Sequence, residues 1–308
     1  MIKYVTSLFN LCCKSMVQVS RVAFAVSKTN FRVAAEETRI LAILVHDDLV
    51  QILAAFQNAF PFWPVPHNSV DKILIVKLDR VGDMVNTTPV FDAIRAICPR
   101  ARLDIVGHPT SLSLLEDDQR VAERIPYKSW LYHALPVLLP GINSWMIVLR
   151  LLRRRYPVVV YLRGSFPLLL LGITSRLGAA KFIPGEPVIE RYLKPIESLW
   201  GPLPKRDPRL HLSDDNVRFA RRLLFGRDAH EGPRIAIHAA AVTASKMWPV
   251  ERFAAVADDL CRIFGAQVHC FGSQEDKLIL HRIFRHSIYS HRSFDLVSAA
   301  GCRSNFTL

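Results

Sequence analysis

The stretch ILIVKLDRVGDMVNTTP, residues 73–89, sets an apolar run directly against Asp79, Arg80, Gly82 and Asp83. A short run of apolar residues bounded by turn residues reads as a buried strand. PVFDAIRAI (89–97) follows as a helix, with Val90, Ala93, Ile94 and Ile97 on one face and a stop before Pro99. RLDIVG (102–107) is the next strand, so the order is strand, helix, strand, the unit of a parallel sheet. The polar turn therefore falls beyond the carboxyl end of a parallel strand, where open α/β sheets bind ligands. Gly82 permits a sharp turn or a close backbone approach. Asp83 falls near the helix start. There it can take a proton from a substrate hydroxyl, or it can simply complement the positive end of the helix. The residues leave both readings open.

The same rhythm continues along the chain. RRRYPVVVYLRGS (153–165) gives another strand, and LLLLGITSRLGA (168–179) reads as a core helix. The proline-rich GPLPKRDPRLH (201–211) reads as a hinge, followed by a helix with Ser213 as N-cap and Gly226 as its stop. A second series then begins: RIAIHA as a strand, PVERFAAVADDLCRIFG (249–265) as a helix, AQVHCFG as a strand, EDKLILHRIFRH as a helix and FDLVSAAG as a third strand. Pro249 is placed in the first turn of the 249–265 helix. Phe253, Val256, Ala257, Leu260 and Phe264 are placed on its buried face. Residues 1–67 look different. DDLVQILAAFQNAF puts Leu49, Ile52, Leu53 and Phe56 on one helical face, and PFWPVPH breaks the pattern. The predicted organisation is an extension and linker over 1–67, a Rossmann-like domain over 70–205, a connecting helix in 206–231 and a second Rossmann-like domain over 232–308. The fold class is α/β.

The 308 residues exceed one ordinary core, and half of them are hydrophobic, so a globular two-domain chain is expected. The net charge of +13 and a pI near 9.8 favour anionic partners: nucleic acid, an anionic membrane surface or a phosphorylated substrate. No arginine-rich tail or basic stripe interleaved with aromatics raises nucleic acid above the others. The six cysteines, Cys12, Cys13, Cys98, Cys261, Cys270 and Cys302, have no metal-ligand spacing and fit a reducing compartment. The most apolar long stretch, Leu131 to Leu152, is interrupted by His133, Pro136, Pro140, Asn143 and Arg150. GxGxxG, Walker and HExxH motifs are absent, and neither a metal nor a cofactor is predicted.

Two further stretches sit where loops leave the second series of strands. In TASKMWPVERF (243–253), the free N–H groups at a helix start favour a phosphate. Lys246 adds a point charge for a diphosphate, and Thr243 and Ser245 can donate hydrogen bonds. The alternative is an exposed lysine with Trp248 as packing. In FGSQED (271–276), Gly272 ends a strand, and Glu275 or Asp276 can hold ribose hydroxyls or act as a solvated first-turn acid.

ILIVKLDRVGDMVNTTPVFDAIRAICPRARLDIVG resembles the N-terminal signature of glycosyltransferase family 9, which contains the lipopolysaccharide heptosyltransferases. IAIHAAAVTASKMWPVERFAAVADDL resembles the family's second signature, a strand and loop followed by Lys-x-Trp-Pro. The resemblance spans roughly residues 70–301. It implies a GT-B fold with two Rossmann-like domains facing a cleft, and an inverting, metal-independent transfer of a sugar from a nucleotide diphosphate sugar such as ADP-heptose. The implied acceptor is a glycolipid or core oligosaccharide. The implied location is the cytoplasm, with peripheral contact at the inner face of the inner membrane. No nucleic acid partner is implied. By position, Asp83 matches the family's proposed general base and Lys246 the lysine on the donor diphosphate. Thr243, Ser245, Gly272 and Glu275 fall on the donor side. Gly82, Arg80, Asn86, Thr87 and Arg163 fall on the acceptor side. The sequence departs from the family at Ala240, where a loop glycine is usual. It also lacks an Asp-x-Gly-x-x-His segment after AAGCRSNFTL, so the second domain reads as incomplete. A family member without turnover, or a non-catalytic binding protein, is the alternative.

Overall fold

The computed structural model describes residues 46–57, 70–127, 142–181, 183, 185–204, 206–225, 231–241, 246–272, 276–288 and 294–298. The chain divides into two compact units, Met1–Leu212 and Ser213–Leu308.

The first unit is built on five parallel strands, β1 (Lys72–Lys77), β2 (Arg102–Gly107), β3 (Glu123–Pro126), β4 (Val158–Arg163) and β5 (Arg176–Ala179), in the order β3-β2-β1-β4-β5. The unbroken apolar run of β1 follows from burial on both faces. Ile73 and Ile75 join one core with Val158, Val160 and Leu162, while Leu74 and Val76 join a second core with Val159 and Tyr161. The helices described before β3 are α1 (46–57), α2 (Val81–Val85), α3 (Thr88–Ile97) and α4 (Pro109–Leu112). They are followed by α5 (Ile142–Arg154), α6 (Leu171–Thr174) and α7 (Val188–Trp200). α3 buries Val90, Ala93 and Ile94, with Ile97 partly buried against the same core. α7 crosses close over β5, because a Cβ on Gly178 would lie 2.7 Å from the Pro195 carbonyl oxygen.

Three features differ from the sequence reading. First, residues 46–57, set apart as extension, form a helix docked on the first sheet. Its buried residues are His46, Val50 and Gln57, with Leu53 and Ala54 packed behind, whereas Leu49 and Phe56 are exposed. Polar anchors choose this face over the more apolar one. The Gln57 Nε2 donates to the carbonyls of Gly172 (2.5 Å) and Ser175 (2.8 Å), and its Oε1 accepts from the Leu177 N–H (2.8 Å). The remainder of 1–67 lies outside the described residues. Second, 168–179 is not one helix. A 3₁₀ turn (Phe166–Leu170), α6 and strand β5 share it, and the edge of β4 recruits Arg176–Ala179 into the sheet. Third, part of the Leu131–Leu152 stretch lies outside the described residues, and its end belongs to the amphipathic helix α5. Among the described residues no helix is long and apolar enough to cross a membrane.

The second unit has a three-stranded parallel sheet among its described residues, β6 (Arg234–His238), β7 (Gln267–Gly272) and β8 (Phe294–Ser298), in that order. It also carries α8 (Asp214–Phe225), α9 (Val250–Phe264) and α10 (Lys277–His286). The Ser213 Oγ accepts the Asn216 N–H at 3.3 Å, as an N-cap does. Gly226 lies outside the described residues. α9 ends at Gly265 in the left-handed conformation (φ 58°). Its core face is Val250, Ala254, Ala257 and Cys261, while Val256 and Phe264, expected inside, are exposed. Small residues let α9 lie close to its sheet, and Phe253 and Leu260 flank that line. Pro249 is the N-cap of α9, one position earlier than expected.

Candidate active site

In the order β3-β2-β1-β4-β5, the chain turns from one half of the sheet to the other between β1 and β4. That switch point is where doubly wound sheets open a crevice beyond their strand ends. The sequence places its polar turn there. β1 ends at Lys77 and β4 at Arg163, and the two are paired in register across a local irregularity. The Leu78 N–H donates to the Arg163 carbonyl at 2.9 Å, which ties the two strand ends together.

A cavity of about 200 Å³ opens beyond these ends, lined by Asp47, Asp79, Asp83, Leu162, Arg163, Ala180, Lys181, Arg191 and Tyr192. Three carboxylates thus face three exposed or half-exposed cations. Beneath them lies a fourth cation, Lys77, with no exposed surface. Its Nζ donates to the Asp79 Oδ2 (2.5 Å) and to the Tyr192 hydroxyl (2.5 Å), and sits 3.8 Å from the centre of the Tyr192 ring. Burial pushes the Lys77 pKa down, and Asp79 opposes that shift. Tyr192 in turn donates to the Asp83 Oδ1 at 3.3 Å. Burial, together with Asp79 and Asp83, pushes the Tyr192 phenol well up, so it stays a neutral donor.

The three carboxylates are held unequally. Asp79 takes Lys77 and also lies 3.8 Å from Arg163. Asp47 pairs with Arg163 at 3.3 Å and with His46 at 3.2 Å. Asp83 has only the long Tyr192 hydrogen bond on its side chain and no ion pair within 4 Å among the described residues. It is half-buried, in the first turn of the five-residue helix α2. Of the three, it is the one able to gain a proton without breaking a salt bridge.

The remaining acceptor-side residues divide. Arg80 and Gly82 are exposed at the start of α2, and Asn86 is half-buried at its end. Of the two uses open to Gly82, the sharp turn is not taken: it sits in helical backbone, and open space where a Cβ would stand leaves room for a close approach. Thr87 does not line the cavity. It is fully buried, and its hydroxyl donates to the Asp83 carbonyl at 2.8 Å, bracing the junction of α2 and α3. Arg163 lines the cavity, held by Asp47 and Asp79.

In the second unit, Lys246 is exposed just before α9, whose N-terminus carries Trp248 packed edge-on to Phe253 (5.3 Å between centroids). Thr243, Ser245 and Glu275 lie outside the described residues. Gly272 ends β7, and a Cβ there would stand 2.9 Å from Leu280 and 3.0 Å from Asp276, so its small size serves the packing of α10. Ala240, also described, is half-buried just after β6.

Sequence reasoning missed Lys77, Tyr192, Arg191, Lys181 and Asp47 as site residues. A lysine closing an otherwise apolar buried strand was a legible signal for Lys77. Tyr192 and Asp47 reach the site from helices more than a hundred residues and some thirty residues away, respectively, and carry no local signature.

Comparison with known proteins narrows the reading. Residues 163–293 match the family described as Glycosyltransferase family 9 (heptosyltransferase). Lys246 and Arg163 lie inside the matched segment, and Asp83 lies before it. The chain shares its fold with a glycosyl transferase family 9 protein from Veillonella parvula, at 15% identity and a TM-score of 0.62, covering 76% of this chain and 71% of that one. It also resembles E. coli ADP-heptose LPS heptosyltransferase II, at 20% identity and a TM-score of 0.59, covering 75% and 73% of the two chains. A structure of E. coli heptosyltransferase WaaC with ADP aligns at 14% identity and a TM-score of 0.50, covering 73% and 74%. No curated protein sequence matches it. The α/β, Rossmann-like reading holds.

Proposed function

We propose that the protein is an inverting glycosyltransferase of heptosyltransferase type. In this reading it moves a sugar from a nucleotide diphosphate sugar, ADP-heptose-like, to a lipopolysaccharide core or related glycolipid acceptor at the cytoplasmic face of the inner membrane. The observation that carries the reading is Asp83: at the switch point of the first sheet, it is the carboxylate least tied down. In the reaction, Asp83 takes the proton of the acceptor hydroxyl. The oxygen attacks the anomeric carbon from the face opposite the diphosphate, and the bond between that carbon and the diphosphate oxygen breaks. The second unit holds the donor. Lys246, Thr243 and Ser245 lie ahead of the α9 start and receive the departing diphosphate, while Gly272 and Glu275 fall near the ribose. Arg80, Gly82, Asn86 and Arg163 border the acceptor side. The two roles are assigned to residues 70–205 and 232–308.

Turnover and donor binding test this reading separately. With ADP-heptose and a core glycolipid, Asp83→Asn is expected to lose about 10²–10⁴-fold in turnover while binding ADP as the parent does. Lys246→Ala is expected to weaken ADP about 10- to 150-fold and to leave adenosine nearly unchanged. Parent-like turnover by Asp83→Asn removes the proposed base. Equal loss of ADP and adenosine binding by Lys246→Ala removes the diphosphate contact.

A further inference from the structure

The two helical layers on either side of the first sheet present different surfaces to solvent. On one side, the outward positions of α7 are Glu190, Lys194 and Ser198, and neither α3 nor α7 has a large apolar side chain among the exposed ones described. The other side is formed by α1, α5 and the 166–174 segment, which bury Val50, Val148, Leu151, Leu168 and Leu171 against the sheet. Its outward face carries Leu49, Phe56, Trp145, Met146, Leu149 and Ile173, each between 41% and 60% exposed. On α5 the division is sharp: Ser144, Val148 and Leu151 point in, and Trp145, Met146, Leu149, Arg150 and Arg153 point out.

Ordinary solvated helices do not gather large apolar side chains on the outward face of one layer while the opposite layer shows charge. The charges on α5, the centre of this face, have one sign. α5 contains no acidic residue, and neither does the 166–174 segment. Arg150 and Arg153 follow the apolar group by one helical turn, and Arg155 is exposed just beyond. Glu123 lies 3.7 Å from Arg150, whose side chain is 65% exposed, so that pair is weak and solvent-screened. Asp48 is half-buried on α1. A tryptophan, a methionine and a leucine beside arginines on long apolar stems is the composition of a surface that sits at a lipid interface.

We propose that the outward face of α5, with the exposed residues of α1 and α6 beside it, docks the chain on an anionic membrane surface. The apolar side chains enter the headgroup boundary, and Arg150 and Arg153 pair with anionic headgroups. The inference uses no assumption about the reaction and is tested without any substrate.

The full chain is mixed with phosphatidylcholine vesicles, and with vesicles in which part of that lipid is replaced by phosphatidylglycerol, and bound protein is separated by flotation. Binding is expected on the anionic vesicles and to fall as salt is raised. Arg150→Gln with Arg153→Gln is expected to lower partitioning about 30-fold, roughly five-fold per charge. The Trp145→Ser, Met146→Ser, Leu149→Ser triple variant is expected to float no better than a lipid-free control. All five positions are exposed, so both variants should melt as the parent does. If the triple variant melts earlier, the arginine variant and the salt series decide alone. Failure to bind anionic vesicles, or equal binding by the arginine variant, overturns the proposal. Concentration-dependent dimerisation abolished by these substitutions, without vesicle binding, overturns it in favour of self-association.

Discussion

Replacing Asp79 by asparagine should destabilise the first unit far more than replacing the buried lysine it holds. Lys77 has no exposed surface, and its ammonium has two close partners, the Asp79 carboxylate at 2.5 Å and the Tyr192 hydroxyl at 2.5 Å. Asp79→Asn keeps the shape and removes the only negative charge hydrogen-bonded to that ammonium among the described residues. Stranding a buried charge in this way costs about 3–5 kcal/mol, which for a unit of this size lowers the melting temperature by roughly 10 °C. Lys77→Met removes the charge itself. Asp79 then keeps Arg163 at 3.8 Å and partial solvent access, and the cost is about 1–2 kcal/mol, close to that of a single charged hydrogen bond. The double variant should recover most of the Asp79→Asn loss. pH supplies an independent arm. Burial lowers the Lys77 pKa below its ordinary 10.5, so between that lowered value and 10.5 the unfolded chain binds more protons than the folded one. Stability linked to Lys77 therefore rises with pH through that window. Asp79→Asn lowers the folded value further, so its deficit should shrink as pH is raised toward 10.5. Urea unfolding with hydrogen exchange at the β1 amides reads the first unit directly. If Asp79→Asn proves as mild as Lys77→Met, or the double variant no better than Asp79→Asn, the buried ammonium is not what Asp79 stabilises.

Gln57→Ala should cost about 2–4 kcal/mol, because it strands the Gly172 and Ser175 carbonyls and the Leu177 N–H in a buried setting, and the Leu177 amide should exchange faster as a result. Gly178→Val should cost about 3 kcal/mol or more, since its Cβ would meet the Pro195 carbonyl oxygen, and thermal melting reads the loss. Acid should weaken the first unit through two carboxylates held below their ordinary range. Asp118 is lowered because its hydrogen bonds and charge attraction to Arg120 outweigh the opposing effect of burial, and Glu123 because Arg154 hydrogen-bonds it. Their stabilisation is complete above about 3.8 and 4.5, respectively, and is lost as pH falls through the lowered folded values, so an acid titration should show the first unit loosening below pH 4. In Asp118→Asn that acid sensitivity should diminish.

What the sequence disclosed depended on how local the cause was. The strand Ile73–Lys77, helix α3 and the helix–glycine stop at Phe264–Gly265 arise from spacing within a few residues, and each was legible. The inward face of α1 was not. Its apolar pattern favours Leu49, Ile52, Leu53 and Phe56, of which Leu53 does pack on the core, yet Gln57 and His46 decide the orientation by bonding groups more than a hundred residues away, His46 to the Tyr161 hydroxyl at 2.8 Å. α9 misled the same way: a helix lying close on a sheet buries its alanines and leaves Phe264 outside. At the site, Asp83 could be placed by strand-end logic, whereas Arg163 was placed only by the family resemblance, and the partners of both come from α1 and α7. The strand of Arg176–Ala179 was read as helix because leucine-rich composition says nothing about an open sheet edge.

The unequal tying of the three carboxylates follows from this assembly. β1 delivers Lys77 and Asp79 as neighbours on one turn of chain, so their pairing is nearly automatic. β4 delivers Arg163 beside them, and Arg163 leans toward Asp79 and, through docking of α1, toward Asp47. Two of three acids are thereby neutralised by cations that the sheet itself brings to its edge. Asp83 stands one short helix further out and meets only the neutral hydroxyl of Tyr192, whose own oxygen is already engaged by Lys77. That hydroxyl can donate in one direction and so points its proton at Asp83. The carboxylate is oriented without being neutralised, which is the condition for a group that must gain a proton from a bound hydroxyl and later release it. A salt-bridged acid in the same place would be held as firmly but would have to give up its ion pair in order to act.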